Sequence, residues 1–509
     1  MKFQTEVLII GGGATGVGIA RDLALRGVPS LLIERGDFAS GASGGNHGLL
    51  HSGGRYAVSD PAAAKECITE STILKRIAPC CVEETDGLFV SLPGDGLDFR
   101  DRFLQSCEEA GIETRLLSKE EALGLEPDLH PDLLSAVKVP DGAVDPFSLI
   151  SANAKDAEEH GAQFLLHTEI TSLIRDRNRV REVRARDLIL GEEHTVHPSY
   201  VVNATGAWAN QVLKLAGIKI GIALSKGSLL VTNQRVSQRV INRCRPASDG
   251  DIIVPNDTVS ILGTTSIRVE QNERLEATPE EVSLLIRETS KMIPAIKDTR
   301  FIRAYAGVRP LYQPEEKDGD RAISRGFAMI DHGKRDGLEN LITITGGKLI
   351  TYRVMAERVA DFICEKMGIR VACSTHVTPL PDSGEFPGFK TRLRKVAAPV
   401  STQDGEVLCD CELVTRAEVE ESMKRWKMKN LQDILHRTRI AKGTCQGGFC
   451  IYRLLGVLHD LKEIKGDSHQ VMKGFLEERW KGIRPVLWGT SLREAELIES
   501  IYKGIFNLK

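Results

Sequence analysis

Val7-Leu8-Ile9-Ile10-Gly11-Gly12-Gly13-Ala14-Thr15-Gly16, continuing into a helical pattern over 17–25, is the stretch whose reading decides the fold. The apolar run reads as a strand, the glycines as a tight turn, and the residues after them as a helix. A second apolar run, Ser30-Leu31-Leu32-Ile33, ends in Glu34. Glycines at 11, 13 and 16 permit the turn, close backbone approach to a pyrophosphate and close packing of helix on strand. The helix N-terminus offers positive partial charge to phosphates, and an acid after the second strand takes ribose hydroxyls. The pattern predicts a dinucleotide site, and by itself it fits NAD as well as FAD.

At 509 residues the chain is too long for one compact core, so two or three domains are expected. Lys+Arg 67 against Asp+Glu 70 gives a net charge of -3, which argues against a general nucleic-acid binder but leaves room for a local basic pocket. No apolar stretch approaches the roughly 20 residues a membrane-spanning helix needs. The first strand begins at the N-terminus with no signal-peptide core before it. A cytoplasmic location is therefore expected, with a peripheral hold on the membrane left open.

Ser40-Gly41-Ala42-Ser43-Gly44-Gly45-Asn46-His47-Gly48-Leu49-Leu50-His51-Ser52-Gly53-Gly54-Arg55-Tyr56 is too rich in glycine for a helix interior or a central strand. It reads as a loop packed on the cofactor. Residues 60–80 and 101–127 read as helical, and 138–146 as a turn-rich junction. From Pro146 a helix to about 161, a strand over 163–167 and another around 180–190 lead to Tyr200-Val201-Val202-Asn203-Ala204-Thr205-Gly206-Ala207-Trp208. That second strand-to-helix turn of small residues suits a two-part nucleotide site, and a plain turn competes with this reading. Residues 221–311 alternate in strand fashion, with a helix over 279–292, and predict a mostly antiparallel sheet over the cofactor domain. Its basic residues Lys226, Arg309 and Arg325 are candidates for anion capture, although each reads equally as a surface ion-pair partner. A strand over 341–345 then meets Gly346-Gly347-Lys348-Leu349-Ile350-Thr351-Tyr352-Arg353 and a helix to about 366. Placed under an isoalloxazine ring, the positive end of that helix would stabilise the anionic reduced form.

Residues 374–407 are rich in proline and glycine and read as a linker. Seven of the eleven cysteines have no ligand spacing and read as plain thiols in a reducing compartment. The other four, Cys409-x-Cys411 and Cys445-x4-Cys450, form two close pairs fit for a cluster or a metal. Zinc is the first alternative at these cysteines, and unligated thiols the second.

Taken together, these motifs resemble the FAD-dependent glycerol-3-phosphate dehydrogenases, most closely the large catalytic subunits of the bacterial anaerobic enzymes. The resemblance runs over essentially the whole chain. It is carried by Gly11–Gly16, 46–56, Val139-Pro140-Asp141-Gly142, Asn203-Ala204-Thr205-Gly206, Gly307-Val308-Arg309-Pro310-Leu311 and Thr345 to Arg353. The cysteines are similar to the bacterioferritin-associated ferredoxin module, which carries a 2Fe-2S cluster. Glu477-Glu478-Arg479-Trp480-Lys481-Gly482 also favours the anaerobic type.

The resemblance implies an α/β chain. It would have a Rossmann-like FAD-binding domain of the glutathione-reductase and D-amino-acid-oxidase type, an antiparallel-sheet substrate domain, and a small, mostly helical cysteine module. The expected parts are an oxidoreductase region over 1–370, with FAD-binding parts about 1–80, 146–220 and 325–370 and substrate parts about 81–145 and 221–324. A linker over 371–405, a 2Fe-2S module over 406–460 and a helical tail over 461–509 follow. The cofactor set is Gly11, Gly13, Ala14, Thr15, Gly16, Glu34, Arg35, Ser43, Asn46, His47, Gly48, Leu49, Ala204, Thr205, Gly206, Trp208, Gly346, Gly347, Lys348, Leu349 and Thr351. Arg55, Tyr56, Arg309, Arg325 and Lys348 would bind glycerol 3-phosphate, with Arg309 and Lys348 also catalytic and His51 the chemical choice for the base. The C2 hydride would pass to flavin N5. Electrons would leave through Cys409, Cys411, Cys445 and Cys450 to partner subunits and a membrane quinone. An amine or amino-acid oxidoreductase of the same fold, and a flavin- and metal-containing sensor without turnover, remain open at this point.

Overall fold

The computed structural model of the chain describes residues 1–270, 275–313, 326–381, 384, 386–397, 405–426, 430–463 and 467–508. Arg325 lies outside the described residues. The first strand, Lys2–Ile10, sits inside an eight-stranded sheet. It pairs in parallel with Ser30–Ile33 on one side and Glu193–Asn203 on the other. Gln163–Leu165 extends the first side, and Leu341–Gly346 runs parallel to the end of Glu193–Asn203. Val7 to Ile10 are apolar without alternation because both faces of the sheet are covered. Val7 and Ile9 pack under the helices Ala14–Leu25, Pro146–Glu159 and Tyr352–Met367. Leu8 and Ile10 pack against a hairpin and the helix Ala209–Lys214.

That hairpin, Thr168–Asp176 with Arg179–Asp187, replaces the single strand expected around 180–190. Its turn falls at Arg177, whose φ of 53° carries none of the glycine signal that marks such turns in a sequence. The helix expected over 101–127 is two helices, Leu97–Glu109 and Lys119–Leu125, with the strand Arg115–Leu117 between them. Gly111 ends the first, and a reciprocal Ser118–Glu121 capping box starts the second.

The second sheet has nine strands. Ile222–Thr232 is its spine, paired antiparallel with Phe301–Tyr312 along nearly its whole length and with Val259–Gly263 and Ile267–Val269. Ile252–Asn256 and Val240–Arg243 follow. Beyond them the sheet continues into Gly87–Ser91, Ser135–Val139 and Arg115–Leu117, with one parallel pair between Val240–Arg243 and Gly87–Ser91. The stretch expected to be a linker contains the helix Phe389–Ala397. Its Arg392 is buried, with Nη2 2.5 Å from Asp257 Oδ2 and 3.3 Å from Glu412 Oε2. A proline- and glycine-rich composition marks the flanks of this segment but hides the anchor.

The residues after it build a small core of their own around Leu408, Val419, Ile434, Leu454 and Phe475. This module docks beside the nucleotide turn. Buried Asp37 accepts from Arg437 Nη2 at 2.5 Å and lies 2.8 Å from His436 Nδ1. Burial would raise the Asp37 carboxyl, yet these two partners hold it below the ordinary carboxylate range. The His436 ring stacks on Phe147 at 5.0 Å. Among the described residues no helix is long and apolar enough to cross a membrane.

Helix Ala14–Leu25 reaches the first strand only because Gly16 has no side chain: a Cβ there would overlap Gly11 O. Gly16→Ala is therefore expected to cost about 1–3 kcal/mol in overpacking. It should lower the melting temperature of the purified protein; a wild-type value would contradict this packing.

Candidate functional site

A cavity of about 1180 Å³ opens between the two sheets, larger than most single-ligand pockets. One end is the nucleotide turn. Gly11 has Ala204 O where a Cβ would stand, 2.7 Å away, so the first and second small-residue turns meet backbone to backbone. Ala14 N, at the helix start, donates to Ser43 Oγ at 3.0 Å, which brings the 40–56 loop onto the same anion-binding end. Glu34 receives Gly12 N at 2.6 Å and Gly36 N at 2.7 Å, one on each oxygen. Burial nevertheless raises its pKa above the ordinary value. Each oxygen keeps a lone pair for a hydroxyl. Arg35 lies 5.7 Å over the Trp208 ring, and Thr205 Oγ1 is tied to Asn203 Oδ1 at 2.6 Å.

The 40–56 loop is held by its own asparagine and by a carboxylate from far along the chain. Asn46 Nδ2 donates to Ser43 O at 2.7 Å while its Oδ1 accepts from Gly48 N at 2.7 Å. Tyr305 OH donates to Asn46 O at 2.7 Å. Leu49–Leu50 pairs with Gly142–Val144. Asp141 Oδ1 accepts from both Ser52 N at 2.6 Å and Ser52 Oγ at 2.8 Å, and Oδ2 accepts from Asn242 Nδ2 at 3.2 Å. Asp141 reads in sequence as the middle of a Pro-Asp-Gly turn; its grip on Ser52 is visible only in three dimensions.

The far end of the cavity gathers His47, His51, Arg55, Tyr56, Arg309 and Lys348. Gly346 and Gly347 both take positive φ, 83° and 74°, which swings Lys348 into this space before the helix begins. The helical start is a one-turn 3-10 segment, Leu349–Thr351, and not an α-helix from Gly346 as expected. Lys348 N donates to Thr351 Oγ1 at 3.0 Å. Lys348 Nζ is buried beside the Cys67 thiol, with no oxygen or nitrogen acceptor bonded to it among the described residues. It stands 3.6 Å from Glu66 Oε1 and 5.1 Å over the Tyr56 ring. The Tyr56 ring in turn lies 5.3 Å from that of His51. His51 is buried, and its pKa falls well below 6.5 through burial first and then the charges of Lys348 and Arg55. His47 falls to about 3, from burial and then Arg309 and Arg55. Both imidazoles are thus neutral at neutral pH. Arg55 Nη2 is 3.6 Å from Asp251 Oδ2. Arg309 donates to Thr264 Oγ1 and, at 3.3 Å, to Thr265 O.

Lys226 does not belong to this group. Its Nζ turns to the other face of its strand and pairs with buried Glu281 Oε2 at 2.7 Å, where Ser228 and Thr265 hydroxyls complete the carboxylate's shell. Lys226 and Arg309 read alike in sequence, and strand alternation separates them. Arg353, within the motif after Gly346, is a clamp: it makes a buried two-pronged contact with Glu70 at 2.8 and 2.6 Å, fixing the helix Pro61–Ile77 beside Lys348. Gly227 belongs to the site without any charge to mark it. A Cβ there would run into the Arg309 guanidinium and stand 2.7 Å from Thr264 Oγ1. A glycine inside a strand is the sequence signal for such an approach.

The four cysteines of the C-terminal module come together. Cys411 Sγ lies 3.3 Å from Cys445 Sγ, and thiol contacts join Cys409 to Cys411 and Cys450, and Cys445 to Cys450. Backbone N–H groups of Gly447 and Phe449 point at Cys445, and those of Ala441 and Glu412 at Cys409. The Cys445 thiol is pulled far down by the hydrogen bonds it receives from Cys411 and Cys450, and Cys450 is pushed up by donating to its neighbours. Among the described residues no group of three or more His, Cys, Asp or Glu side chains has the geometry of a single-ion site.

The two-sheet architecture, the glycine turn and the cavity define the class: the chain belongs to the FAD dependent oxidoreductase family, whose model matches residues 6–361. Within that class it falls among the A subunits of the anaerobic glycerol-3-phosphate dehydrogenases. It is 46% identical to the A subunit from Escherichia coli K12 over 99% of this chain and 97% of that protein. It is 42% identical to the A1 subunit from Haloferax volcanii over 100% of this chain and 91% of that one. The fold is similar to that of the glycerol-3-phosphate dehydrogenase of Bacillus halodurans complexed with FAD, with a TM-score of 0.64 at 21% identity over 96% of each chain.

Gly227→Ala is expected to leave flavin content unchanged while displacing Arg309, lowering kcat/KM on the order of tenfold through KM, the size of one weakened charge-assisted hydrogen bond. Unaltered steady-state constants would remove Gly227 from the account of the site.

Proposed function

We propose that the chain oxidises sn-glycerol 3-phosphate to dihydroxyacetone phosphate, with FAD as the resident oxidant. The observation that carries the reading is the convergence of Arg55, Arg309 and Lys348 with a neutral, buried His51 on one end of the cavity. A dianionic phosphate calls for several cations, whereas one arginine serves a carboxylate, so this set favours a phosphorylated alcohol over an amino acid. Arg325, which lies outside the described residues, joins the set on the strength of the resemblance.

The residues around the turn fit FAD. Gly11 and Gly13 let backbone approach a pyrophosphate at the helix start, where Ala14 N and Ser43 Oγ already meet, and Glu34 offers lone pairs to ribose hydroxyls. FAD bound there supplies a hydride acceptor at N5 for the C2 hydrogen of the substrate. Arg55 and Arg309 hold the phosphate and fix which carbon faces the flavin. Lys348, whose Nζ stands 3.6 Å from Glu66 Oε1 and is hydrogen-bonded to no oxygen or nitrogen among the described residues, stabilises negative charge on the C2 oxygen. A ring nitrogen of His51 takes the C2 hydroxyl proton, and its low pKa keeps it in the accepting form. The closed set of four thiols with backbone N–H donors suits a 2Fe-2S cluster, which would pass electrons singly to partner subunits and a membrane quinone. The chain then works at the inner face of the membrane as a peripheral component.

His51→Asn is expected to lower kcat by about 10²–10⁴, the range of a positioned general base, with flavin retained. Because the folded pKa of His51 lies below 6.5, the base form persists as pH falls through the ordinary histidine range, and the acid limb of kcat/KM lies below pH 6.5. That limb disappears in His51→Asn; its persistence there assigns the proton to another group. Arg309→Ala should lower kcat/KM for glycerol 3-phosphate by tenfold to a hundredfold, about 1.5–3 kcal/mol, and a purified holoenzyme that turns over an amino acid but not glycerol 3-phosphate rejects the proposal.

A further inference from the structure

Two arginines lie where the strand Phe301–Tyr312 meets the helix Ser468–Ile483, without a carboxylate bonded to either among the described residues. Arg303, on the strand Phe301–Tyr312, has its Nε buried with no hydrogen-bond partner among the described residues, and its guanidinium lies 5.4 Å over the Tyr305 ring. Tyr305 OH is bonded to Asn46 O of the flavin loop. Arg479, on the helix Ser468–Ile483, donates from Nη1 to Gln446 Oε1 at 2.9 Å, one residue from Cys445, and lies 5.2 Å over Phe475. The two guanidinium groups are close enough to repel each other, and Arg479 is within electrostatic range of both Cys445 and Cys450. The acid within electrostatic range of both arginines, Glu478, is exposed and pairs with Lys481 at 2.5 Å. Gly482 packs on Ala304 O and Arg303, which locks the helix to the strand.

Placing two like charges side by side in a half-buried site is unfavourable unless an anion offsets them. Glu478, already shared with Lys481 and screened by solvent, offsets little of it. Four cysteine thiolates around two irons are anionic before reduction and more so after it. On the 2Fe-2S reading given above, we infer that Arg479 and Arg303 are the counter-charges of the cysteine site, holding its reduction potential high enough to draw electrons from the reduced flavin. They are positioning residues, since neither is a ligand. The step they govern moves one electron at a time from reduced flavin to the cluster, with no proton taken up at the cysteines.

The test uses anaerobically purified holoenzyme and titrates the cluster's EPR signal against potential in the wild type, Arg479→Gln, Arg479→Lys and Arg303→Gln. Removing the charge should weaken reduction of the cluster about tenfold, a negative shift of about 59 mV for a one-electron couple. Arg479→Lys, which keeps the charge, should retain most of the wild-type potential, and Arg303→Gln should shift in the same direction as Arg479→Gln. Wild-type potentials in both Gln variants overturn the inference, as does an equal shift in Arg479→Lys. If Arg479→Gln loses its iron, Arg303→Gln alone decides, because Arg303 sits on the nine-stranded sheet and not in the cysteine module. A wild-type protein with neither iron nor an EPR signal overturns the cluster reading itself, a result distinct from an unmoved potential.

Discussion

Backbone meets backbone at the centre of this molecule, and the site depends on it. Gly16 lies on Gly11 O, Gly11 on Ala204 O, and Gly307 on Gly45 O, with no room for a side chain at any of the three. The first contact sets the helix against the strand. The second joins the two turns into one nucleotide floor. The third lays the 40–56 loop on the nine-stranded sheet, so that the two sheets close around a common cavity. Side-chain packing stabilises each sheet separately, but these contacts fix how one stands over the other.

On that frame the chemistry is a matter of where the cations are gathered. Several cations near the cavity are spoken for: Lys226 by Glu281, and Arg353 by Glu70. Lys348 Nζ stands 3.6 Å from Glu66, and Arg309 bonds to a hydroxyl and a carbonyl. Burial first, and then the neighbouring cations, keep His51 and His47 neutral. On the proposed function, a pocket that binds phosphate also prepares its proton acceptor. Behind the loop lies a second basic group, Arg303 with Arg479, the latter bonded to Gln446 beside Cys445.

What could be read from the sequence was local chemistry. The glycine turn, Glu34, the small-residue loop, the turn at Ala204 and the Gly346-Gly347 pair each carry their meaning within a few residues. So do the paired cysteines. What escaped was set by partners far away. Asp141 grips Ser52 from 89 positions along the chain, and Arg353 finds Glu70 across 283. Gly87–Ser91 and Ser135–Val139 join the nine-stranded sheet because Val240–Arg243 pairs with the first of them. Arg392 turns a proline-rich stretch into an anchored helix because Asp257 and Glu412 converge on it. Lys226 and Arg309 differ only in which face of the sheet they occupy.

The central claim is that one cavity joins phosphate capture to hydride removal and that the cysteine module receives the electrons. Anaerobic addition of glycerol 3-phosphate to the oxidised holoenzyme, followed by flavin absorbance and EPR together, tests it most directly. The account expects the flavin band to bleach and the signal of a reduced 2Fe-2S cluster to appear, with glycerol and glycine leaving both unchanged. Bleaching by glycine, or an unaltered spectrum with glycerol 3-phosphate, contradicts it.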